Sequence, residues 1–184
     1  MSNIWGAIHN DRPSSIIIKM ENIITLQKTE NMLNEPKKDY NREMHTAEHI
    51  LNQTMVRMFG TDRSFSNHIE RKKSKCDYKF DRALSPEEVD KLECAVNEVI
   101  SRNLEIEEHL VSRDEAELKY NTSKLPPEAG DMIRIISVGD YDHCPCIGEH
   151  ISNTSEIGPI KIISTDFESD RKVLRIRYKR SQIE

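Results

Sequence analysis

The sequence predicts an α+β fold in which a largely antiparallel sheet packs with helices. Segments with the three-and-four spacing of amphipathic helices are interspersed with short segments of alternating or continuous apolar residues. The order of these segments shows no regular βαβ repeat, which is the pattern that a parallel sheet requires. The sequence also contains no internal repeat and no low-complexity segment.

The helices have the clearest local signals. From Arg42 to Phe59 the apolar residues recur at helical spacing, and Gly60 follows as a stop signal. A second helix begins at Ser85, where Pro86 and Glu88 complete a capping box, and a third, short helix begins at Ser112. A hairpin is predicted over residues 66–80, and further strands over 104–111, 132–138, 159–164 and 173–178.

The first forty residues carry weaker signals. Apolar runs at 15–19 and 23–26 are compatible with short strands, and the polar residues 27–40 are typical of a loop or linker. We therefore expect an N-terminal extension or small strand addition over residues 1–41, followed by one domain over residues 42–184.

Composition limits the class of protein. The 184 residues suffice for one substantial domain, with 36% apolar and 32% charged residues. No apolar run is long enough to span a bilayer, and the first residues lack the features of a secretion signal, so no membrane partner is expected. The four cysteines do not form the pattern of a disulfide framework, so we expect a reducing cytoplasm.

The charge pattern bears on nucleic-acid binding. A net charge of −5 argues against non-specific coating of nucleic acid, and DNA is not an expected partner. Basic residues are concentrated at 71–75 and 171–180. We interpret both segments as solvated faces, which are also where phosphate contacts would be sought.

Four metal-binding side chains occur as two pairs. His45 and His49 are four residues apart, and so are Cys146 and His150. In a helix, residues at this spacing lie on the same face, so both members of a pair can reach one ion. Three imidazoles and one thiolate suit tetrahedral Zn²⁺. The pattern predicts a zinc site that folding brings together.

Three alternatives bear on this site. Cys144 offers a second thiol, although the spacing to His150 favours Cys146. Four protein ligands would close the shell of a structural zinc, whereas a catalytic zinc keeps one position for water or substrate. A zinc protease fits poorly because its catalytic Glu directly follows the first His, where this chain has Thr46.

Residues 138–150 and 153–162 resemble the editing module of alanyl-tRNA synthetases. They are most similar to the freestanding alanyl-tRNA editing proteins of the AlaX type. That family has the pattern Gly-Asp-Phe-Asp-x-x-Pro-Cys-Gly-Gly-Thr-His, then Asn-Thr-Gly-Glu-Ile-Gly-Pro. Its other motif, His-Thr-Ala-x-His on a helix, is matched at residues 45–49. The similarity covers residues 42–178.

The resemblance implies a synthetase editing-domain fold, with Zn²⁺ bound by His45, His49, Cys146 and His150. It implies a hydrolase that needs no ATP and removes a wrong amino acid from mischarged tRNA, typically serine or glycine from alanine tRNA. The related threonyl-tRNA editing domain removes serine from threonine tRNA, which is the first alternative. A zinc-stabilised tRNA-binding module without catalysis is the second. The short length implies action in trans, and no oligomeric state is indicated.

The resemblance also suggests candidates for the site. Ser66 or Asn67 would hydrogen-bond a serine hydroxyl, and Thr46 would orient the ligand helix or contact substrate. Thr46 and Ser66 are the catalytic candidates, and Ser66, Asn67, Asp142 and Gly148 are the candidates for substrate binding. The chain departs from the family at Ile147, Glu149 and Ser155, where the pattern has Gly, Thr and Gly. These departures bear on the choice of substrate more than on the metal site.

Overall fold

The computed structural model describes residues 41–125 and 129–181, and the predicted strands at 15–19 and 23–26 lie outside them. The described residues form three α-helices, one 3₁₀ turn at Thr154–Glu156 and seven strands. The helices are α1 (Arg42–Phe59), α2 (Pro86–Ser101) and α3 (Arg113–Lys119). The strands are β1 (Ser66–His68), β2 (Ser74–Lys79), β3 (Ile106–Ser112), β4 (Met132–Val138), β5 (Asp142–Pro145), β6 (Ile160–Glu168) and β7 (Val173–Arg180).

The strands form two sheets, in which every neighbouring pair is antiparallel. One sheet has the order β1-β2-β7-β6 and the other has the order β3-β4-β5. The predicted α+β class with antiparallel pairing is therefore confirmed, with two sheets in place of one. None of the helices in the described ranges is long and apolar enough to cross a membrane.

Helix α1 begins and ends where its local signals predict. The side chain of Asn41 accepts a hydrogen bond from the Met44 amide at 3.1 Å, which caps the first turn. Gly60 ends the helix in the left-handed region, at φ +64°, which glycine adopts without strain. The apolar stripe of α1 is fully buried and consists of Met44, Ala47, Ile50, Leu51 and Met55.

The four-stranded sheet packs one face against the helices. Its alternate residues Cys76, Tyr78, Leu174, Ile176 and Tyr178 are fully buried in the same core cluster as the stripe of α1. The Tyr178 hydroxyl also donates a hydrogen bond to the carbonyl of Met44, at 3.0 Å. This bond ties the end of β7 to the first turn of α1.

Helix α2 packs against α1 and β6 and contributes Leu92, Val96, Val99 and Ile100 to the same core. Its cap is the predicted box, in which the Ser85 hydroxyl accepts from the Glu88 amide and the Glu88 carboxylate accepts from the Ser85 amide. The side-chain amide of Asn97 bonds both the amide and the carbonyl of Ile160, at 2.8 and 2.9 Å. Strand β6 is thereby fixed to α2.

Candidate metal centre

The first two turns of α1 position the first pair of candidate ligands. His45 and His49 lie one helical turn apart, beside the apolar stripe, and are 7% and 2% exposed. Burial follows from the packing of α1 against the sheet and β5, so both imidazoles face the interior. His45 and His49 therefore lie on one face of a helix, as their spacing predicts.

The second pair is not helical. Cys146 and His150 lie in the irregular segment that follows β5, so the expectation of a helical turn was wrong for this pair. The segment is shaped instead by Arg134 of β4, whose guanidinium donates to the carbonyls of Cys146 and Gly148, each at 2.9 Å. The Cys146 amide in turn donates to the Arg134 carbonyl, at 3.2 Å.

Gly148 allows this segment to approach α1 closely. A Cβ at this position would lie 2.6 Å from Nδ1 of His45, and closer still to Cε1. Such a distance is too short for any side chain, so only glycine fits here. The structure thus places Gly148, a candidate for substrate binding, directly against a candidate ligand.

The two pairs meet at one point. One nitrogen or sulfur atom from each of His45, His49, Cys146 and His150 lies within 4.8 Å of the others. Cys146 Sγ is 3.5 Å from His45 Nε2, and the rings of His45 and His150 stack with centroids 4.3 Å apart. Around a tetrahedral zinc with Zn–N of about 2.0 Å and Zn–S of about 2.3 Å, donor atoms lie about 3.3–3.5 Å apart. The Cys146–His45 pair matches this separation.

Each imidazole is anchored through the same nitrogen. His45 Nδ1 contacts the carbonyl of Glu149 at 3.1 Å, and His49 Nδ1 contacts Asp142 Oδ2 at 3.0 Å. His150 Nδ1 contacts the hydroxyl of Thr46 at 3.1 Å; that hydroxyl donates to the Arg42 carbonyl and therefore accepts from the ring. A proton on each Nδ1 leaves Nε2 as the nitrogen for a metal.

The buried Nε2 of His150 forms no hydrogen bond within the described part of the chain. A buried polar atom of this kind is costly unless a ligand satisfies it. The donor set and this atom both fit a bound Zn²⁺. The structure also places Thr46, a catalytic candidate, behind His150, where it orients the ring.

Two of the four donors, Cys146 and His150, have the protonation state that a metal ligand needs. Burial would raise the pKa of the Cys146 thiol, but the imidazoles of His150, His45 and His49 outweigh it and lower the pKa well below 9.0. The thiolate is the form that binds metal. Burial lowers the pKa of His150 to about 4, so this imidazole is neutral at pH 7, as a ligand must be. Burial would lower the pKa of His49, but Asp142 and Cys146 outweigh burial and raise that pKa well above 6.5, so His49 releases a proton when it binds a metal.

Asp142 links His49 to Arg63. One oxygen of the Asp142 carboxylate contacts His49, and the other accepts from Arg63 Nη1 at 2.6 Å. Burial would raise the pKa of Asp142, but His49 and Arg63 outweigh it and lower the pKa below 3.8. The side chain of Asp142 is 2% exposed and both of its oxygens are bonded, so Asp142 is placed to orient the candidate ligand His49. The family resemblance suggests substrate binding for Asp142 instead.

We therefore expect Asp142→Asn to weaken zinc binding by about 10- to 100-fold, because the amide lacks the charge that orients His49 and neutralises Arg63. Competition with a chromophoric chelator measures this affinity. Asp140→Asn is the matched control, because Asp140 is 80% exposed and pairs with Arg102 at the surface. Equal zinc affinity in the two variants would contradict the role of Asp142.

A network of polar groups borders the cluster, in which Glu48, Asn52 and Ser64 are buried and Asn67 is exposed. Glu48 Oε1 accepts from the side-chain amides of Asn52 and Asn67, and its Oε2 is 4.0 Å from His45 Nε2. Ser64 completes the network, because its hydroxyl donates to Asn67 and its amide donates to Asn52 at 2.8 Å. Glu48 was not predicted as a site residue, although its position three residues after His45 in a helix indicates the same face.

Strand register separates the two candidates for hydroxyl recognition. Asn67 pairs with Cys76, whose side chain is in the core, whereas Ser66 pairs with Asp77 on the opposite face. Asn67 therefore reaches Glu48, and Ser66 is exposed on the face away from α1. The structure brings Asn67 to the cluster and does not bring Ser66 there.

The positions that depart from the family pattern lie on the outer side of the segment. The Glu149 carboxylate is half exposed and accepts from Arg42 Nε at 2.6 Å, while Ile147 is 40% exposed. Ser155 lies in the 3₁₀ turn, where its amide donates to the Asn153 side chain at 2.9 Å.

The second thiol, Cys144, differs from Cys146 in its protonation. Burial raises the pKa of Cys144, so the Cys144 thiol stays protonated at pH 7.

Comparison with known proteins relates this chain to tRNA synthetases. Residues 133–176 match the family described as "Threonyl and Alanyl tRNA synthetase second additional domain". An alanine–tRNA ligase of Fervidobacterium nodosum is 31% identical over 139 residues, which cover 75% of this chain and 16% of the ligase. One of Methanosarcina barkeri is 33% identical over 132 residues, which cover 66% of this chain and 13% of the ligase.

The chain thus spans about a sixth or less of the length of these curated relatives. The family match includes Cys146 and His150, two of the four candidate ligands, together with all but the first residue of β4 and all of β5 and β6. The resemblance predicted from the motifs is confirmed: this chain carries a domain of the threonyl and alanyl tRNA synthetase second additional domain family.

Proposed function

We propose that this chain is a zinc-dependent hydrolase that removes a wrongly attached amino acid from tRNA, with serine or glycine on alanine tRNA as its first substrates. One observation carries the proposal: His45, His49, Cys146 and His150 converge in a domain related to alanine–tRNA ligases. Serine and glycine are close to alanine in size, so a ligase cannot reject them by apolar contacts alone.

The reaction is ester hydrolysis. Water adds to the acyl carbon, the bond from that carbon to the ribose oxygen breaks, and the ribose oxygen takes up a proton. Because an aminoacyl ester is already activated, orientation and charge stabilisation supply most of the acceleration. When bound, a zinc ion supplies positive charge that polarises the carbonyl or holds the substrate amine.

Glu48 is the residue of this chain that we propose to contact substrate or water. Its Oε1 is fixed by two side-chain amides, and its Oε2 faces the cluster, 4.0 Å from His45 Nε2. A carboxylate oxygen in this position can accept a hydrogen bond from the substrate amine or from the attacking water. Asn67 lies beside it, and we propose that Asn67 or its neighbour Ser64 recognises a serine hydroxyl.

Two other functions have specific support. The matching family includes threonyl-tRNA synthetases, which supports serine on threonine tRNA as an alternative substrate. Four protein donors complete a tetrahedral shell, and this supports a structural zinc in a tRNA-binding module without catalysis.

A deacylation panel tests these possibilities. The zinc-loaded protein is incubated with serine, glycine or alanine on alanine tRNA, and with serine on threonine tRNA. We expect serine to be released from alanine tRNA at least about 100-fold faster than alanine, because a site that bonds a hydroxyl rejects the analogue that lacks one. Glycine should be released about 10-fold faster than alanine, because exclusion of one methyl group discriminates less. His45→Ala should abolish the release, and His109→Ala, on the exposed face of β3, should not.

The outcomes separate the three functions. Hydrolysis of serine on threonine tRNA alone would identify the alternative substrate. Binding of tRNA by zinc-loaded protein with no hydrolysis of any substrate would overturn the enzymatic proposal and leave the binding module.

A further inference from the structure

Basic side chains on the four-stranded sheet are mostly neutralised by carboxylates. Arg175 donates two hydrogen bonds to Asp77, both at 2.7 Å, and Arg180 contacts Glu43 at 3.0 Å. At one end of this sheet the pattern changes. Within the described ranges, no carboxylate lies within ion-pair distance of a group of five side chains, which we name the basic cluster: Arg71, Lys72, Lys73, Lys75 and Lys179.

The strand register places these side chains together. Lys75 lies opposite Arg177, and Lys179 is two residues further along β7, so Lys75 and Lys179 are diagonal neighbours about 7–8 Å apart on one face. That face is the outer one, because Cys76 and Tyr178 between them point into the core. Residues 71–73 belong to the exposed loop that joins β1 to β2 and leads directly into Ser74, which pairs with Tyr178.

The basic cluster lies near the same end of the four-stranded sheet as the metal centre, with Lys75 and Lys179 on the outer face and the metal centre on the inner side. Tyr178 and Arg180, on either side of Lys179, contact Met44 and Glu43, which immediately precede His45. On the other side, the loop of the cluster follows β1, whose Asn67 contacts Glu48. The cluster and the candidate ligands therefore lie at the same end of the four-stranded sheet.

Unpaired like charges at this separation repel one another, and a ligand with closely spaced negative charges relieves the repulsion. The phosphates of an RNA backbone have this arrangement. We propose that the basic cluster binds backbone phosphates of the tRNA acceptor stem and so holds the aminoacylated 3′ end at the metal centre. The inference rests on the proposed function, because it takes tRNA as the substrate.

Binding of uncharged alanine tRNA to zinc-loaded protein, followed by fluorescence anisotropy from about 50 to 200 mM salt, tests this proposal. The test variants are Lys72→Gln/Lys73→Gln in the loop and Lys75→Gln/Lys179→Gln on the sheet. Lys91→Gln/Lys119→Gln is the control, because it also removes two positive charges, from the exposed faces of α2 and α3.

We expect each test variant to bind tRNA about 10-fold more weakly than the wild type at the lowest salt concentration. The slope of log affinity against log salt should be smaller by about 2, one for each lost phosphate contact. The control should change affinity less than about 2-fold. All three variants should retain zinc, because none of the substituted residues contacts the metal centre. Their melting temperatures should stay close to that of the wild type, because the one ion pair lost among the described residues, Lys119 with Glu115 in the control, is a surface pair.

This binding assay is independent of hydrolysis. If the protein binds tRNA as described but hydrolyses no ester, the proposed function fails and the phosphate-binding surface stands. If the test variants bind tRNA with the same affinity and salt dependence as the control variant, the surface proposal is overturned. This holds even if the wild-type protein is found to hydrolyse mischarged tRNA. The surface proposal would also be overturned if the test variants bound tRNA like the wild type but lost binding to phosphatidylserine vesicles. In that case the basic cluster would bind an anionic membrane.

Discussion

Cys146→Ser should reduce zinc affinity by more than about 100-fold, because losing a ligand costs more than losing a group that orients one. A serine hydroxyl stays protonated at pH 7, whereas the imidazoles around Cys146 hold its thiol as a thiolate, with a pKa well below 9.0. Zinc content by atomic absorption and cobalt substitution measure the change, since a thiolate bound to Co²⁺ gives a charge-transfer band that the variant should lack.

Cys144→Ser provides the matched control, because it removes a thiol two residues away in the same chain segment. The pKa of Cys144 is raised by burial, and this residue is not among the four converging donors. The Cys144→Ser variant should retain one zinc ion per chain and keep the charge-transfer band of the cobalt form. The assignment of Cys146 would be refuted if Cys146→Ser kept its zinc, or if Cys144→Ser lost it. Under the proposed function, deacylation should be lost with the zinc.

Gly148→Ala should disrupt the same centre by steric means. The added methyl group would lie 2.6 Å from His45 Nδ1, and the ring cannot easily retreat, because it bonds the Glu149 carbonyl and stacks on His150. Either the ring or the segment must shift, at a cost of about 1–3 kcal/mol in the free energy of unfolding. We expect zinc affinity to fall by about 10- to 100-fold, since ligand geometry is lost. Chelator competition and thermal unfolding measure the two effects.

Gly60→Ala separates stability from metal binding. Gly60 lies at φ +64° with open space around it, so alanine there is strained but meets no neighbour. It should cost about 1–2 kcal/mol of stability with unchanged zinc affinity. A Gly148→Ala variant that bound zinc like wild type would show that the segment adapts and that the close approach to His45 is not required.

Recognition of a hydroxyl beside a metal would account for the polar network, whose members Glu48 and Asn52 are buried and whose member Asn67 is exposed. Glu48, Asn52 and Asn67 are fixed to one another by hydrogen bonds, and the network places a carboxylate next to the candidate ligands. Buried groups of this kind reject a substrate that cannot pair with them, because they would be left unsatisfied. Serine carries a hydroxyl and alanine does not, so such a site could retain alanine on its tRNA while releasing serine.

Local signals predicted the elements whose ends depend on local chemistry. The bounds of α1 follow from the Asn41 cap, the apolar spacing and Gly60, and the start of α2 follows from the Ser85 box. Strand β5 was not predicted, because Asp142 to Pro145 has little intrinsic preference for a strand. It exists because β4 offers hydrogen-bonding partners, with Ser137 opposite His143.

The sequence by itself determined the donor set, since two pairs at a spacing of four and the family motifs indicate the same four residues. The tertiary structure decided how those residues are held: His45 by the Glu149 carbonyl, His49 by Asp142, and His150 by Thr46. It also decided that Asn67 and not Ser66 faces the centre. These contacts join residues from different elements, up to 104 positions apart, so packing alone establishes them.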